Sequence, residues 1–375
     1  MATSTTTPTD HSVLEDQIRG LIYGQAIGDA IGLLSEFMIK EEAQRYYGDK
    51  GELEFHIKVP DMHRSRWKTG DWTDDTDQMI LIMLSILDQD GKVSPTDFGA
   101  NLKKWSKEGF PELGDFGGMG IGSTTLHVLR HEKYDTNPHD AAFDIWESSG
   151  RFVAPNGAIM RTSILGAYQY QSLDRVQQHA LDICKVTHAD PRCQASVVAM
   201  TTAISLMLNG SYSKNDGQDV AMITKEAYKT AKEILPKKSS HKELKKHMFP
   251  SKLSALKLGE HKKIGYTYKC LGSGFWALQQ SDFRTALEKI VMEAGDADTN
   301  GAVAGALLGC KLGAKKLPSS WVDGLLHKEW LDKIIDRFLP LIIPSYTRQF
   351  PDEATTNDDV EVLIDGKVEE ADAIS

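Results

Sequence analysis

Apolar side chains return at spacings of three and four along most of this chain and only rarely at two, so the pattern predicts helix almost throughout. A capping box, Ser12-x-x-Glu15, marks the start of the first helix, whose inward face carries Leu14, Ile18, Leu21 and Ile22. The same helix continues through Gly24, Ala26, Gly28, Ala30 and Gly32, although a free glycine in mid-helix costs about 1 kcal/mol against alanine. Close approach of a second backbone is the compensation this spacing predicts. Asp29 and Glu36 lie in or just beyond the segment. Further helical periods follow over 79–87, 98–105, 126–129, 141–146, 176–184, 195–208, 220–234, 266–278, 283–292, 302–312 and 321–341. Strand-like alternation is confined to 54–59 in the body and 360–364 near the C-terminus. Without regular strand–helix alternation or a fixed internal repeat, the expectation is an all-α fold in one compact domain over 12–349, with tails at 1–11 and 350–375.

Composition narrows the class. Of 375 residues, 41% are apolar and 26% charged, a globular mixture. The longest apolar runs, 80–87 and 338–343, fall far short of the roughly 20 residues that span a bilayer, so no membrane association is expected. Residues 1–11 are Thr-rich and lack a basic and apolar leader pattern, which points to the cytoplasm, with the nucleus as the other compartment. The net charge of −10 is mostly local: 351–375 carries nine acidic residues and one Lys, which is −8 and leaves −2 for the rest. Such a tail reads as disordered and solvating, and it argues against direct nucleic-acid binding. A Lys-rich stretch, 225–263, reads as a solvated helix pair, with an anionic partner site as the alternative. Cys184, Cys193, Cys270 and Cys310 form no Cys-x-x-Cys pair, so buried, reduced thiols are expected.

Candidate chemistry begins with two acidic clusters that each open a predicted helix: Thr73-Asp74-Asp75-Thr76-Asp77 and Asp296-Ala297-Asp298-Thr299. Helix capping explains either one alone, because Thr and Asp accept from free backbone N–H groups and an anion suits the positive end of the helix dipole. Brought together, however, the clusters would put five carboxylates in one cleft, where like charges resist joint ionisation. One or two hard divalent cations are the simplest counter-charge. Between the clusters lies a glycine-rich loop, 117–122, ahead of Ser123 and Thr124. No buried strand precedes it, which excludes a dinucleotide fingerprint, but backbone N–H groups at a helix start can still cradle a phosphate. Next come a Pro155-Asn156-Gly157 turn followed by Arg161, and the pair Thr187-His188. Asn156 is either a plain turn residue or a donor to sugar or phosphate, and His188 is either structural or a ligand contact.

Taken in order, Gly28-Asp29-Ala30-Ile31-Gly32 with Glu36-Phe37-Met38, Trp72 to Thr76, the 117–124 loop, Asn156 to Arg161, Thr187-His188 and Gly295 to Asn300 resemble the ADP-ribosylglycohydrolase family. That group includes dinitrogenase reductase-activating glycohydrolase and the ADP-ribosyl-acceptor hydrolases. The resemblance implies an orthogonal helical bundle with two Mg²⁺ ions, Mn²⁺ being a substitute, held by Thr73, Asp74, Asp75, Asp296, Asp298 and Thr299. It places Glu36 over the metals as ligand, gate or proton-transfer group, and makes Glu36, Asp74 and Asp75 the candidates for catalysis. It implies that Gly118, Gly120, Gly122 and Ser123 hold a diphosphate while Asn156, Gly157 and His188 flank an adenosine. The expected substrate is ADP-ribose joined to an acceptor, with an ADP-ribosylated protein as partner and the Glu36-Phe37-Met38 context favouring arginine over serine. Attack of a metal-held water on the anomeric carbon is the expected chemistry. Hydrolysis of O-acetyl-ADP-ribose, a non-catalytic crystallin-like or ADP-ribose-binding relative, and a metal-dependent phosphohydrolase are the alternatives.

Overall fold

Two helices that begin almost three hundred residues apart form the axis of the molecule, His11–Gly32 and Ala297–Leu312. The computed structural model describes residues 11–214, 217–344 and 346. Gly20, Gly24 and Gly28 of the first helix face Gly309, Gly305 and Gly301 of the second, and Gly32 faces Ala297 and Asp298, so the two run antiparallel. A Cβ placed on Gly24 would stand 2.2 Å from the carbonyl oxygen of Gly305, and one on Gly305 would stand 1.9 Å from that of Gly24. The glycines are therefore required by backbone-to-backbone contact, as the small-residue stripes predict. The later helix is buried on every side from Ala297 to Cys310, the mark of a helix at the centre of a bundle.

Around this pair pack the helices Asp74–Asp88, Pro191–Leu208 and Thr267–Leu278, with the remaining helices outside them. Sixteen α-helices and one two-stranded antiparallel ribbon, Ser213–Lys214 with Gly217–Gln218, make up the regular structure of the described residues. The architecture is all-α, as expected. Each inner helix has a local reason to begin where it does. Thr73 caps Asp74–Asp88 by accepting from the backbone N–H of Asp75 at 3.5 Å. Asp190 accepts from Arg192 N at 2.7 Å, with Pro191 at the first helical position, where its missing N–H is no loss. The four cysteines are buried and free, and no described helix is long and apolar enough to cross a membrane.

Two sequence expectations change. Residues 54–59 do not form a strand: Phe55–Ile57 is a single 3-10 turn. The backbone groups beside it are taken by side chains, since Leu53 O accepts from Trp321 Nε1 at 2.9 Å and from Arg284 Nη1 at 3.0 Å, and Leu53 N donates to Glu288 at 2.9 Å. Ser12 also lies inside the first helix, which is already helical at His11, the first described residue, and so does not cap its start. The tails, apart from residue 11, and the alternating run 360–364 lie outside the described residues.

Candidate functional site

The antiparallel glycine contact ends where the chemistry begins. At the C-terminal end of the first helix, Phe37 N donates to Gly295 O at 2.6 Å and Gly295 N donates to Met38 O at 3.0 Å, which fixes the Glu36 segment beside Asp296. Asp29, one turn earlier, accepts from Thr73 N (3.0 Å), Thr76 N (3.0 Å) and Thr76 Oγ1 (2.6 Å), and so pins the first acidic cluster to the same place. The two clusters therefore converge. Thr299 Oγ1 lies 3.1 and 3.2 Å from the two oxygens of Asp75 and 3.4 Å from Asp296 Oδ1. Two carboxylate triplets result, Asp29/Asp75/Asp298 and Glu36/Asp296/Asp298, each with oxygens within 4.8 Å of one another. Asp298 belongs to both, the arrangement expected of a residue between two neighbouring cation positions.

Not all of the five carboxylates first considered take part. Asp77 turns away and accepts from the indole N–H groups of Trp72 (2.8 Å) and Trp105 (3.1 Å). Its place is filled by Asp29 and Glu36. Asp74 stands at the cleft wall, with Oδ2 accepting from Gln78 Nε2 at 2.7 Å. Thr73 both caps the helix and donates to Asp75 Oδ2 at 3.3 Å.

Electrostatics follow from burial first and like charge second. Desolvation, with neighbouring carboxylates adding to it, holds Asp74, Asp75 and Asp298 well above the usual carboxylate range. Asp296 is raised for the same reasons, and burial pushes Asp29 up to about 7 despite the hydrogen bonds from Thr73 and Thr76. A buried set of oxygen donors that cannot all ionise together fits one or two hard cations, which would supply the missing positive charge.

Above the carboxylates lies a cleft of about 290 Å³, reached by Glu36, Asp74, Gly120, Gly122, Asn156, Asp298 and Thr299 among others. A second chamber of about 270 Å³ shares Ser123, Thr124, Pro155 and His188 with the cleft, and is walled by Ala142, Ile145 and Trp146. Gly120 has φ +95°, and a Cβ there would stand 2.5 Å from Asp74 Oδ1; beside Gly122 there is open space. Gly118 sits behind this wall, with its Cα against the Trp105 indole, and does not line the cleft. Asn156 is held by its backbone N–H to Gly265 O at 3.0 Å, and its Nδ2 donates to Asp296 Oδ2 at 2.7 Å. Its amide therefore serves the acidic cluster from within.

Arg161, fully buried, reaches neither the carboxylates nor the cleft. It donates to Gln78 Oε1 (2.9 Å) and Thr187 Oγ1 (2.7 Å), and Gln78 in turn holds Asp74. Burial lowers the guanidinium to about 10. Because Thr187 Oγ1 accepts from Arg161, its own hydrogen is left for His188 Nδ1 at 2.7 Å. Burial, with Arg161 adding to it, lowers His188 to about 3, so the ring is neutral. These contacts assign its hydrogen to Nε2, on the side of the ring next to Gly157. The Lys-rich stretch stays apart from the carboxylates. It walls a separate basin of about 680 Å³ beyond Pro155 and Gly265, where Lys263 and Lys269 both pair with Glu260 at 2.8 and 2.9 Å.

Sequence reading did not single out Asp29 as part of the acidic set, Trp146 as a cavity wall, or His63, whose Nε2 lies 2.5 Å from Glu36 Oε2. Asp29 stands in the small-residue helix and in the Gly28-to-Gly32 motif, but neither gives it a place among the cation-holding carboxylates. Trp146 fitted an ordinary apolar period, and nothing periodic surrounds His63.

A bundle organised on two glycine-matched helices, with an all-oxygen acidic site at their joint and a two-chamber cleft above it, defines a helical protein with an active-site-like acidic centre. The chain belongs to the ADP-ribosylglycohydrolase family, whose model matches residues 10–348. It is 25% identical to ADP-ribosylarginine hydrolase Tri1 of Serratia proteamaculans, over 86% of this chain and 78% of that protein. It is 24% identical to the ADP-ribosyl-[dinitrogen reductase] glycohydrolase of Rhodospirillum rubrum, over 83% of this chain and 91% of the other. Among solved structures, an ADP-ribosylglycohydrolase-related protein complex superposes with a TM-score of 0.64 at 23% identity, covering 89% of this chain and all of that one.

Proposed function

We propose that the protein is an ADP-ribosyl-acceptor hydrolase that uses two divalent cations, Mg²⁺ or Mn²⁺, and cleaves the bond between the ribose anomeric carbon and an acceptor side chain, arginine before serine. The observation that carries this reading is the shared Asp298 between two carboxylate triplets beneath a polar cleft with an apolar chamber attached. Such a cleft suits a ligand whose ribose, diphosphate and base must lie in acidic, glycine-lined and apolar surroundings in turn. Cations held by the triplets would lower the pKa of a water and offset charge on the ribose hydroxyls.

The chain's own residues have distinct parts. Asp29, Asp75, Asp296 and Asp298, with Thr73 and Thr299, supply the oxygen donors, and Asn156 orients Asp296. The open side of Gly122 and the tight turn at Gly120 let a diphosphate approach the backbone, with Ser123 beside it. His188 Nε2–H offers a hydrogen-bond donor between the chambers, and the Trp146 indole gives a base a flat apolar wall. At the mouth, Glu36 receives a proton as the water oxygen bonds to the anomeric carbon. The bond to the acceptor breaks through an oxocarbenium-like state, and the acceptor leaves with the proton that Glu36 returns to it. A guanidinium leaving group suits a mouth formed by Glu36 and the exposed ring of Phe37. Glu36, Asp74, Asp296 and Asp298 line the cleft, while Asp75 lies below them.

The test is release of free ADP-ribose from arginine-linked, serine-linked and acetylated substrates, with and without chelator, by the wild type and by Asp75→Asn and Asp298→Asn. Loss of at least roughly 100-fold in either variant is expected, in the range set by removing a group that acts on the reacting centre. Near-normal turnover in either overturns the metal-centred account. Release of inorganic phosphate or AMP would instead make the protein a phosphohydrolase, and binding without product a non-catalytic relative.

A further inference from the structure

Glu36 is held from both its side chain and its main chain by one short turn, residues 61–67. His63 Nε2 lies 2.5 Å from Glu36 Oε2, while the other ring nitrogen, Nδ1, lies 2.9 Å from Arg66 Nη2. An arginine can only donate, so Nδ1 carries the lone pair and the ring hydrogen is on Nε2, pointing at the carboxylate. The ring is fixed by aromatic neighbours, at 4.9 Å from Phe37 and edge-on to Trp67 at 5.2 Å, and the Arg66 guanidinium lies 4.5 Å over the Trp67 ring. Arg64, buried beneath, donates to Leu34 O at 2.8 Å and to the carbonyl of Glu36 itself. Its Nη1 pairs with Asp61, whose Oδ1 also accepts from Arg64 N at 2.7 Å. Among the described residues, Oε2 of Glu36 is thus committed to His63, and Oε1 accepts no hydrogen bond.

We propose that His63, with its tautomer set by Arg66, is a positioning residue for Glu36. The Arg66–His63–Glu36 relay presents one carboxylate oxygen to the Asp296/Asp298 side of the cleft and keeps the other occupied. This rests on the proposed hydrolase reading for its consequence in catalysis, but its geometry stands by itself. A surface ion pair would hold Glu36 loosely through whichever oxygen was nearer. A ring polarised from behind and clamped between Phe37 and Trp67 holds it in one orientation, as the partners that orient metal-ligating and catalytic groups do.

Two measurements test the relay. In ¹⁵N-histidine-labelled protein, with His63 assigned by its disappearance in His63→Gln, long-range ¹H–¹⁵N correlation should show the hydrogen on Nε2. It should shift towards a tautomer mixture in Arg66→Ala. A hydrogen on Nδ1, or on both nitrogens, overturns the proposal. In steady-state kinetics on the best ADP-ribosylated substrate, His63→Ala should lower kcat roughly 10- to 100-fold, with KM changed less than about threefold. His63→Gln, which restores an N–H donor, should recover at least half of that loss on a logarithmic scale. In a Glu36→Gln background, His63→Ala should cost nothing further. Equal losses in both backgrounds, or no rescue by Gln, would mean that His63 only supports the fold and would overturn the proposal. If the wild type releases no ADP-ribose at all, the hydrolase reading fails, and the NMR readout still decides the relay.

Discussion

At the scale of single residues, the site depends on which carboxylates are held by backbone donors and which by side chains. Asp29 accepts two main-chain N–H groups and one hydroxyl from the first cluster, and so sets the height of Asp75 relative to Asp298. In Asp29→Asn one carboxylate oxygen becomes an NH₂ that cannot accept, which leaves the N–H of Thr73 or Thr76 facing a donor. Mn²⁺ affinity, read by calorimetry or electron paramagnetic resonance, should weaken at least roughly 10- to 100-fold, because one donor oxygen and the contacts that orient Asp75 are lost together. Asp77 gives the contrast. Its two indole donors tie it to Trp72 and Trp105, so Asp77→Asn should lower stability while leaving metal affinity within about twofold of the wild type, by the same reasoning. An Asp29→Asn protein that binds Mn²⁺ like the wild type would show that the Asp29 contacts serve folding alone.

At the scale of elements, the glycine-matched helices are the part of the fold that the sequence exposes most clearly, because the four-residue glycine period of the first helix meets the same period in the second. A Cβ at Gly305 has only backbone to push against, so Gly305→Ala should destabilise by roughly 3 kcal/mol in denaturant unfolding, at the upper end of the overpacking range. Gly122→Ala, with nothing within 4 Å, should stay within about 0.5 kcal/mol of the wild type. Equal effects would mean that the two helices adjust freely and do not fix the site. The same logic explains what was and was not legible beforehand. Thr73 to Asp75 and Asp296 to Thr299 could be recognised because the acids are adjacent in sequence and open helices. The place of Asp29 beside them could not, because its donors lie 44 and 47 positions away and come together only when the helices pack. Residues 54–59 alternate like a strand, yet their flanking backbone groups are captured by Arg284, Glu288 and Trp321 from distant helices, which local propensity cannot register.

At the scale of the whole molecule, a buried acidic centre makes stability depend on pH in a direction that cations should reverse. Asp29 at about 7 and the other raised carboxylates bind protons more tightly folded than unfolded. Their contribution to stability is therefore fully present below the ordinary carboxylate range near pH 4 and is lost as pH rises through the folded values. In chelator, the melting temperature should fall between about pH 5.5 and pH 8 for this reason. Cations compete with those protons, and binding requires the carboxylates to be ionised, so stabilisation by added Mg²⁺ or Mn²⁺ should grow over the same interval. At a concentration 100 times the dissociation constant the gain is about 2.7 kcal/mol, enough to offset or invert the fall. Scanning fluorimetry of the wild type and of an Asp75→Asn/Asp298→Asn double variant, each with chelator and with cation, separates this from the titration of surface groups. The double variant should show a shallower fall in chelator and little response to cation. Parallel wild-type curves with and without cation would show that these carboxylates do not hold a metal, and the two-cation reading would fall with them.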